Sequence, residues 1–436
     1  MKILWITNDL LPEAKSILSK QSCLVNGSGS WVYALYESIQ NYAPETEIRI
    51  ASVSKLVNKL TVISGKSAIY YVLPFEKGNS GVYNFKYEQY WLEIEGLYKP
   101  DVVHIHGSEY SHGLAYVKAC GNSKVVVSIQ GLVSVICNYM YGGIEKKVLK
   151  RCLTIHDILT RFTIGSQVKM MKKRGNLEIE LLSSVKHVIG RTTWDKAHSF
   201  IINPSVCYHY NGENLRDEFY SDCWNYKKCT PHTIFMSQGQ YAYKGLHNLI
   251  KALAIVQKFY PNVKLIVAGP NILRGGLLKS YLYSTCYGLY IAKLIEKYKL
   301  SQNIKFVGPL DAVGMKKQLL SSNIYVLPSY IENSPNSLGE AQLLGVPCIA
   351  ADVGGVPDLI SNHDCEVSYR FEDYELLAYH ICQFFDKSKM FDNRGLREAA
   401  IERYDRKNNV KDLVNIYTDI SKTLMDASYV YYENMF

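Results

Sequence analysis

Short runs of β-branched and aliphatic residues alternate with longer amphipathic stretches along this chain, and that alternation limits its possible folds more than any other feature. The pattern is typical of parallel sheets covered by helices on both faces, because parallel strands need long crossover connections. The first series of predicted strands is Ile3–Ile6, Ile48–Val53, Val102–Ile105, Val125–Ile129 and His187–Ile189. We therefore expect a doubly wound α/β domain that ends near residue 205.

A second series of strands follows the polar stretch 211–230, so the same rhythm starts again. Its members are Thr233–Met236, Lys264–Ala268, Ile304–Val307, Ile324–Leu327 and Cys348–Ala350. The segment 403–425 spaces apolar residues at helical intervals, which predicts an amphipathic helix. A chain of 436 residues is long enough for two domains. We predict domains over 1–205 and 206–405, with a terminal helix in 406–436.

Composition and charge are those of a globular protein with acidic partners. Hydrophobic residues make up 47% and charged residues 20% of the chain, which argues against disorder. The 11 cysteines form no Cys-x-x-Cys pair or compact Cys/His cluster, so the sequence indicates neither a zinc site nor a disulfide framework. A formal net charge of +9 favours nucleic acid, anionic lipid or substrate phosphates as partners.

The start of the sequence bears on localisation. Residues 1–8 turn polar too early for a signal peptide, and no uninterrupted apolar run of about 18 residues occurs. We therefore expect a cytoplasmic protein that does not cross the membrane.

The most informative stretch, 326–341, runs from a buried strand through a polar loop into a helix. Ser334 is a good N-cap, and Pro335 suits the first helical turn. The backbone amides of Asn336, Ser337 and Leu338 would then point at the carboxyl edge of the sheet, where a helix N-terminus can bind phosphate. Glu332 in the loop and Glu340 two turns later could bracket a ligand and accept hydrogen bonds from vicinal hydroxyls. The alternative is a surface loop with one glutamate complementing the helix dipole.

A second polar loop follows the strand Thr233–Met236 and contains Gly239, Gln240 and Lys244. It places Lys244 just before a helix that should run through Val256, where its ammonium group could meet a diphosphate. The alternative is an ordinary solvated lysine.

Two weaker signals lie nearer the N-terminus. The glycine-containing stretch 26–31 allows close backbone approach to a ligand, although it is not a G-x-G-x-x-G turn. His104 and His106 come at the end of a strand and share one face because strand side chains alternate. Either His106 has a functional role at that strand end or it makes a structural hydrogen bond.

Together these residues resemble the GT-B glycosyltransferases, specifically the retaining family 4. The resemblance lies in the E-x7-E spacing from Glu332 to Glu340, the Lys244-Gly245 pair, and the stretches 345–350 and 354–357. It implies two Rossmann-like doubly wound domains facing across a cleft, with the last helix crossing back to the first domain. A nucleotide-sugar would be the substrate, with no separate cofactor.

The resemblance also implies roles for individual residues. Glu340 would bind the ribose hydroxyls, Glu332 would lie near the transferred sugar, and Lys244 would neutralise the leaving diphosphate. The predicted donor-binding set is Gly29, Gly239, Lys244, Val307, Glu332, Asn336, Ser337, Leu338 and Glu340. The predicted catalytic set is Glu332, Lys244 and His106, and the predicted acceptor-side residues are His106 and Gln130.

Two positions depart from the family pattern. Gln240 stands where an arginine is common, so one positive charge on the diphosphate is either absent or supplied from elsewhere, and Arg274 is a candidate. Gln130 stands where a histidine is common, so acid/base chemistry is not available there, although Gln130 can still hydrogen-bond a sugar.

The implied reaction is hexosyl transfer with retention to a glycan or lipid-linked acceptor, in cell-surface polysaccharide biosynthesis. The sequence has no D-x-D pair, so we expect no obligatory metal ion. Basic residues with apolar spacing over Lys146–Arg174 could bind the inner membrane surface peripherally, or could be a solvated face. The rival hypotheses are a sugar-nucleotide epimerase or phosphorylase of the same fold and a non-catalytic binding partner. We expect no nucleic-acid binding.

Overall fold

The computed structural model describes residues 1–20, 30–76, 81–361 and 363–433, and it describes no side chain at Ser30 or beyond residue 422. Residue contacts divide the chain into two compact units. The N-terminal unit contains Met1–Val135, Met170–Leu215 and the residues from Tyr404 onward, and the C-terminal unit contains Ile136–Lys169 and Arg216–Arg403.

The N-terminal unit is built on an eight-stranded sheet with the order β3-β4-β2-β1-β5-β6-β7-β8. Its strands are β1 Lys2–Thr7, β2 Glu47–Ser54, β3 Thr61–Ser64, β4 Ile69–Pro74, β5 Val102–His106, β6 Val125–Ser128, β7 His187–Gly190 and β8 Cys207–Tyr210. The strand β3 pairs antiparallel with β4, and the other pairs are parallel.

The C-terminal unit has a six-stranded sheet, all parallel, with the order β11-β10-β9-β12-β13-β14. Its strands are β9 Thr233–Met236, β10 Lys264–Ala268, β11 Ile304–Gly308, β12 Ile324–Leu327, β13 Cys348–Ala351 and β14 Glu366–Tyr369. The chain builds outward from β9 and then returns to its other side at β12, so β9 and β12 flank a topological switch point.

Helices cover both sheets. In chain order they are α1 Pro12–Ser19, α2 Ser30–Tyr42, α3 Lys86–Tyr98, α4 Ser111–Cys120, α5 Val133–Ile136, α6 Lys146–Lys150, α7 Ile155–Thr160, α8 Ile164–Ser184, α9 Thr193–Ile202, α10 Leu246–Val256, α11 Gly276–Tyr283, α12 Cys286–Lys297, α13 Ala312–Ser321, α14 Asn336–Leu343, α15 Tyr374–Lys387, α16 Arg394–Arg403 and α17 Arg406–Glu433. None of the described helices is both long and apolar enough to span a bilayer.

Alternation along β1 shows how the core of the N-terminal unit forms. Ile3 and Trp5 face one buried cluster with residues of α17, and Leu4 and Ile6 face the other with residues of α3 and α4. Every one of these four side chains is at most 1% exposed. A strand buried on both faces explains the continuous apolar run in the sequence.

The predicted fold class, Rossmann-like doubly wound α/β, is confirmed in both units. The ten predicted strands are all present, and the spans of β9, β10 and β12 are the predicted ones. The strands β3, β4, β8 and β14 were not predicted. The predicted helix after Lys244 is α10, and the predicted terminal helix is α17.

The unit boundaries differ from the predicted 1–205, 206–405 and 406–436. The segment Ile136–Lys169 groups with the C-terminal unit, because His247 bonds to the carbonyl oxygen of Gly142 at 2.8 Å and Thr154 donates to that of Ser284 at 2.7 Å. Residues 206–215 group with the N-terminal unit, where Asn211 donates to the carbonyl oxygen of Asn409 at 2.8 Å.

Candidate functional site

The candidate site lies at the switch point of the C-terminal unit. Lys244 follows β9 and Glu332 follows β12, and these two strands are neighbours in the sheet. In open α/β sheets, ligands bind outside the carboxyl ends of the strands at such a point. The two predicted residues are 88 positions apart in sequence, and the topology brings them together.

Lys244 and Glu332 form a mostly buried ion pair. The Lys244 Nζ atom lies 2.6 Å from Glu332 Oε1, and the side chains are 19% and 11% exposed. The hydroxyl of Ser329 donates to the same oxygen at 2.7 Å. Burial lowers the pKa of Lys244, but the adjacent carboxylate outweighs it, and the net pKa is raised. The lysine therefore stays protonated and is held at a fixed position.

Glycine allows the two loops to meet. Gly245 has φ +77°, and a Cβ atom there would lie 1.8 Å from the carbonyl oxygen of Pro328. Beside it, the Tyr330 amide donates to the carbonyl oxygen of Tyr243 at 2.7 Å. A side chain at Gly245 would push the Lys244 turn away from the end of β12.

The loop after β13 meets the loop of Glu332 in a similar way. The Gly355 amide donates to the carbonyl oxygen of Glu332 at 3.1 Å. Gly354 has φ +55°, and a Cβ atom there would lie 1.9 Å from that oxygen. The positive φ and this close contact give a physical reason for a glycine at position 354.

The second glutamate, Glu340, is held by an arginine that the sequence analysis missed. Arg216 donates to Glu340 Oε1 from Nε at 2.8 Å and from Nη2 at 2.7 Å. The glutamate side chain is 4% exposed. Burial raises the pKa of Glu340, and the guanidinium partly offsets that effect. Because 124 residues separate the two, no local motif could have indicated this pair.

The start of α14 corrects one prediction. The helix begins at Asn336, and Pro335 occupies the N-cap position in place of Ser334. The Leu338 amide donates to the carbonyl oxygen of Pro335 at 2.9 Å, so it is already used within the first turn. The amides of Asn336 and Ser337 are therefore the better placed of the three predicted for a phosphate. The side chain of Ser337 accepts from Tyr325 Oη at 2.8 Å.

The remaining predicted donor residues of this unit line its strand ends. Gly239 is buried after β9, and a Cβ atom there would lie 2.8 Å from Val267 Cγ1. Val307 is partly buried near the end of β11. The next residue, Gly308, accepts at its carbonyl oxygen from the amide of Gly269 at 2.9 Å. Gly29, predicted for the opposite domain, lies outside the described residues.

A cavity of about 270 Å³ opens beside the Lys244 turn, within the C-terminal unit. Gln240 and Arg274 both line it. Arg274, the candidate to supply the positive charge that Gln240 lacks, therefore shares a pocket with Gln240. Its aromatic wall includes Tyr241 and Tyr243, whose rings stack with centroids 5.5 Å apart. His156 of α7 also lines it. A cavity with aromatic faces, amides and a cation suits a polar, anionic ligand.

In the N-terminal unit, His104 and His106 share one face, as predicted, and stack with centroids 3.7 Å apart. His104 bonds to Tyr417 Oη and Ser128 Oγ, each at 2.6 Å. Within the described part of the chain, neither ring nitrogen of His106 has a hydrogen-bond partner. Burial, with the charge of Arg191, lowers the pKa of both rings, and that of His104 falls to about 3. His104 is thus structural, and His106 is the histidine available for another partner.

Two further groups lie at the strand ends of this unit. Gln130 follows β6 and is partly buried. Glu109, which the sequence analysis did not single out, follows β5 and accepts from Asn8 Nδ2 at 2.8 Å. Burial raises the pKa of Glu109 to about 7. A carboxyl group that titrates near neutrality is a candidate proton carrier, and only the folded structure reveals it.

The basic stretch Lys146–Arg174 is not one amphipathic segment. It divides into α6, α7 and the start of α8, and the unit boundary falls within it. Arg174 is partly buried and donates from Nε to the carbonyl oxygen of Glu109 at 2.8 Å, so it does not contribute to a solvated basic surface.

One possible metal-ligand group occurs among the residues that the structure describes. It consists of His187, Cys207 and His209 and belongs to the N-terminal unit. The three site residues Lys244, Glu332 and Glu340 do not belong to this group.

Comparisons with known proteins give a family match for part of the chain and similar folds for nearly all of it. Residues 225–407 match the family model of Glycosyl transferases group 1. The phosphatidylinositol N-acetylglucosaminyltransferase gpi3 subunit of Schizosaccharomyces pombe is 23% identical over 240 residues, which are 55% of this chain and 48% of that protein. The chain spans less than half the length of the first curated relatives that it matches.

Solved structures match nearly the whole chain, and two of them serve as examples. Sucrose-phosphate synthase from Thermosynechococcus elongatus has a TM-score of 0.71 at 16% identity, covering 97% of this chain and 100% of its own. Anabaena Alr3699/HepE in complex with UDP has a TM-score of 0.62 at 12% identity, covering 96% and 100%. This chain therefore has the fold of the GT-B glycosyltransferases, with mainly parallel sheets in two Rossmann-like domains, and its residues 225–407 match the glycosyl transferases group 1.

Proposed function

We propose that this protein is a retaining glycosyltransferase that moves a hexosyl group from a nucleotide-sugar to a glycan or lipid-linked acceptor without an obligatory metal ion. One observation carries the proposal. The two glutamates of the E-x7-E spacing each have a cation within 2.8 Å, Lys244 on Glu332 and Arg216 on Glu340, at the switch point of the unit that matches the family.

The donor would take over contacts that the protein now makes with itself. The ammonium group of Lys244, which bonds to Glu332 in this structure, would donate to the diphosphate. The ribose hydroxyls would donate to Glu340, whose carboxylate Arg216 holds in place. The amides of Asn336 and Ser337 would add helix-end donors for a phosphate, and the backbone of Val307 would meet the base.

The reaction would proceed on one face of the sugar. The bond between the anomeric carbon and the diphosphate oxygen breaks, and the acceptor oxygen attacks from the side that the diphosphate leaves. The acceptor proton passes to the departing diphosphate. Lys244 would stabilise the negative charge that develops on that group, an effect worth a few kcal/mol by comparison with about 2.7–4 kcal/mol for one oxyanion donor.

Arg274 would supply the charge that Gln240 lacks. Both line the same cavity, and Arg274 is exposed and therefore available to a ligand. A guanidinium can bind phosphate oxygens in a bidentate manner and carries a positive charge, whereas the amide side chain of glutamine is neutral.

The acceptor side is supported by an exposed apolar face on the C-terminal unit. This apolar face consists of Ile158, Leu159, Phe162, Leu278, Tyr281 and Tyr283. The helices α7 and α11 pack together, and Leu159 and Leu278 are 78% and 74% exposed. Phe162 and Tyr283 also line the cavity.

Exposed basic residues lie close in sequence to the α7 part of this apolar face. They are Lys146, Lys147, Lys150, Arg151 and Arg161. Apolar side chains with flanking cations favour an anionic bilayer. The protein would therefore work at the inner face of the membrane on a lipid-linked acceptor in cell-surface polysaccharide biosynthesis. The Schizosaccharomyces pombe relative is named as a phosphatidylinositol N-acetylglucosaminyltransferase subunit, which is consistent with a lipid acceptor.

A donor screen by thermal shift tests the proposal. UDP-, GDP- and ADP-sugars would be compared on the wild type and on Glu340→Ala. A ligand at a hundred times its Kd that binds only the folded state adds about 2.7 kcal/mol of stability. We expect one nucleotide class to stabilise the wild type and not the variant.

A non-catalytic binding partner is the second candidate. It is favoured by Gln240 and Gln130, the two residues that depart from the family pattern. Slow hydrolysis of the stabilising donor distinguishes the two. Turnover that is lost in Lys244→Ala identifies an enzyme, and binding without any turnover or transfer identifies the partner.

A further inference from the structure

Two histidines and a cysteine lie at the edge of the sheet in the N-terminal unit, and none of them has a role in the proposed reaction. His187 opens β7, and Cys207 and His209 lie two positions apart on β8, the last strand in the sheet order. Alternate residues of a strand share a face, and His187 is in register with Cys207. All three side chains therefore project from one face of the sheet.

Their potential ligand atoms converge. His187 Nδ1 lies 3.1 Å from His209 Nε2, and the ligand atoms of all three residues lie within 4.8 Å of one another. A tetrahedral zinc ion with Zn–N bonds of about 2.0–2.1 Å holds two imidazole nitrogens roughly 3.3 Å apart. The separation between the two nitrogens is thus close to the one that a bound ion would require.

The donor types select the class of metal. Two imidazoles and one thiol suit zinc and similar transition metals, whereas Mg²⁺ and Ca²⁺ prefer oxygen ligands. Cys207 is a free, exposed thiol, and both histidines are half-buried, so an ion can reach the site from solvent. Three protein ligands leave the fourth tetrahedral position for a water molecule.

We propose that His187, Cys207 and His209 bind a zinc ion that ties the edge strand β8 to β7. On binding, the Cys207 thiol loses its proton to solvent and ligates as thiolate, and the two imidazoles ligate through Nδ1 of His187 and Nε2 of His209. The carboxylate of Asp419 on α17 lies near enough to act electrostatically on His209, and a neighbouring carboxylate commonly orients a ligating imidazole.

The competing explanation is a hydrogen bond between the two imidazoles with an unrelated cysteine beside it. In that case one ring donates to the other, and Cys207 contributes nothing. The two explanations differ in the role of the sulfur, so a probe that reports sulfur ligation separates them.

Cobalt(II) titration of the metal-free, reduced chain of residues 1–436 is that probe. We expect one equivalent to give the visible spectrum of tetrahedral cobalt with a thiolate-to-cobalt charge-transfer band, and zinc to displace it. Cys207→Ser should abolish the charge-transfer band, and His187→Gln or His209→Gln should weaken cobalt binding at least about tenfold, in line with losses known for metal-site partners. Cys223→Ser, at another exposed cysteine, is the matched control and should leave the spectrum unchanged.

The proposal is overturned if no charge-transfer band forms, or if the band survives Cys207→Ser. It is also overturned if Cys223→Ser removes the band. Circular dichroism of each variant checks the fold, and exposed Cys207 keeps the test valid even if a histidine variant fails to fold. Because the readout is a spectrum, the result is independent of glycosyl transfer.

Discussion

Arg216 approaches Glu340 with two nitrogens that both donate to the same carboxylate oxygen, at 2.8 and 2.7 Å. The pair is almost fully buried, with the two side chains 17% and 4% exposed. One oxygen of Glu340 is thus held by Arg216, and among the described residues no hydrogen bond to the other oxygen is found. This division of one carboxylate supports its proposed role in holding ribose.

We expect Arg216→Ala to lower the free energy of unfolding by about 3–5 kcal/mol, because it leaves a buried carboxylate without its cation. The loss should depend on pH. Burial raises the pKa of Glu340 above its unfolded value of 4.5, so stability falls as pH rises through the window between the two values. Removing Arg216 raises the pKa of Glu340 further, so the variant loses more stability than the wild type at pH values above this window.

Urea unfolding of the wild type and Arg216→Ala at pH 5 and pH 8 measures this effect. The difference between the two proteins should be larger at pH 8. Arg394→Ala removes an arginine from the exposed pair with Asp392 and should be neutral at both pH values. Equal losses for Arg216→Ala at the two pH values would contradict the proposed electrostatic role.

Lys244→Ala should lower the rate of donor turnover by about 100–1,000-fold, the range for removal of one preorganised donor to a developing negative charge. Steady-state kinetics with the donor from the thermal screen provide the measurement. Lys258→Ala, at an exposed lysine just after α10, serves as the control and should keep the wild-type rate. A Lys244→Ala variant that is folded and fully active would remove this lysine from the mechanism.

Arg274→Ala should weaken donor binding, since it removes the cation that shares a cavity with Gln240. Introducing Gln240→Arg into that variant should restore much of the loss, because it puts the charge at the position common in the family. Isothermal titration of donor into the four proteins of this cycle gives the coupling between the sites. If Gln240→Arg restores nothing, Arg274 does not replace the missing charge.

Gly245→Ala should destabilise the protein more than Gly275→Ala. Both glycines have positive φ, +77° and +74°, so both variants carry the backbone strain of about 1–2 kcal/mol. Only at Gly245 does the new Cβ atom also meet a backbone oxygen, that of Pro328. We expect this clash to cost about 1–3 kcal/mol more, the range for overpacking. Thermal unfolding compares the two, and equal melting temperatures would contradict the structural reason given for Gly245.

The apolar face predicts membrane binding. The double variant Ile158→Glu with Leu159→Glu should lose flotation with vesicles that contain phosphatidylglycerol, while the wild type should float with them less as salt increases. The matched control is Phe200→Glu with Ile201→Glu on α9, where the side chains are 57% and 76% exposed. Loss of flotation in both double variants would show that general surface charge, and not the apolar face, governs binding.

Buried strands could be predicted from the sequence because their signal is local. The runs at Thr233–Met236, Lys264–Ala268 and Ile324–Leu327 are mostly apolar, and the structure begins and ends each strand where the sequence indicated. The strand β8, Cys207–Tyr210, was missed because its edge position leaves it polar and partly exposed. Its hydrogen bonds with β7 form it, and apolar burial contributes little.

The candidate site could be predicted only in part, for the same reason. Lys244, Glu332 and Glu340 stand in local motifs, so their positions after strands could be predicted from the sequence. Arg216 was not, since it lies outside any motif and reaches Glu340 only through the fold. Ser334 was misread as an N-cap because its residue type is favourable, whereas the backbone starts the helix one position later.

The helix α17 has a consequence for how the protein is made. The Tyr417 hydroxyl accepts from Trp5 Nε1 at 3.0 Å and bonds to His104 Nδ1 at 2.6 Å, both in the core of the N-terminal unit. A ribosome synthesises Tyr417 after every residue of the C-terminal unit. The C-terminal unit can therefore complete its fold on the ribosome first, whereas Trp5 Nε1 and His104 Nδ1 gain their Tyr417 partner only when translation reaches the last helix.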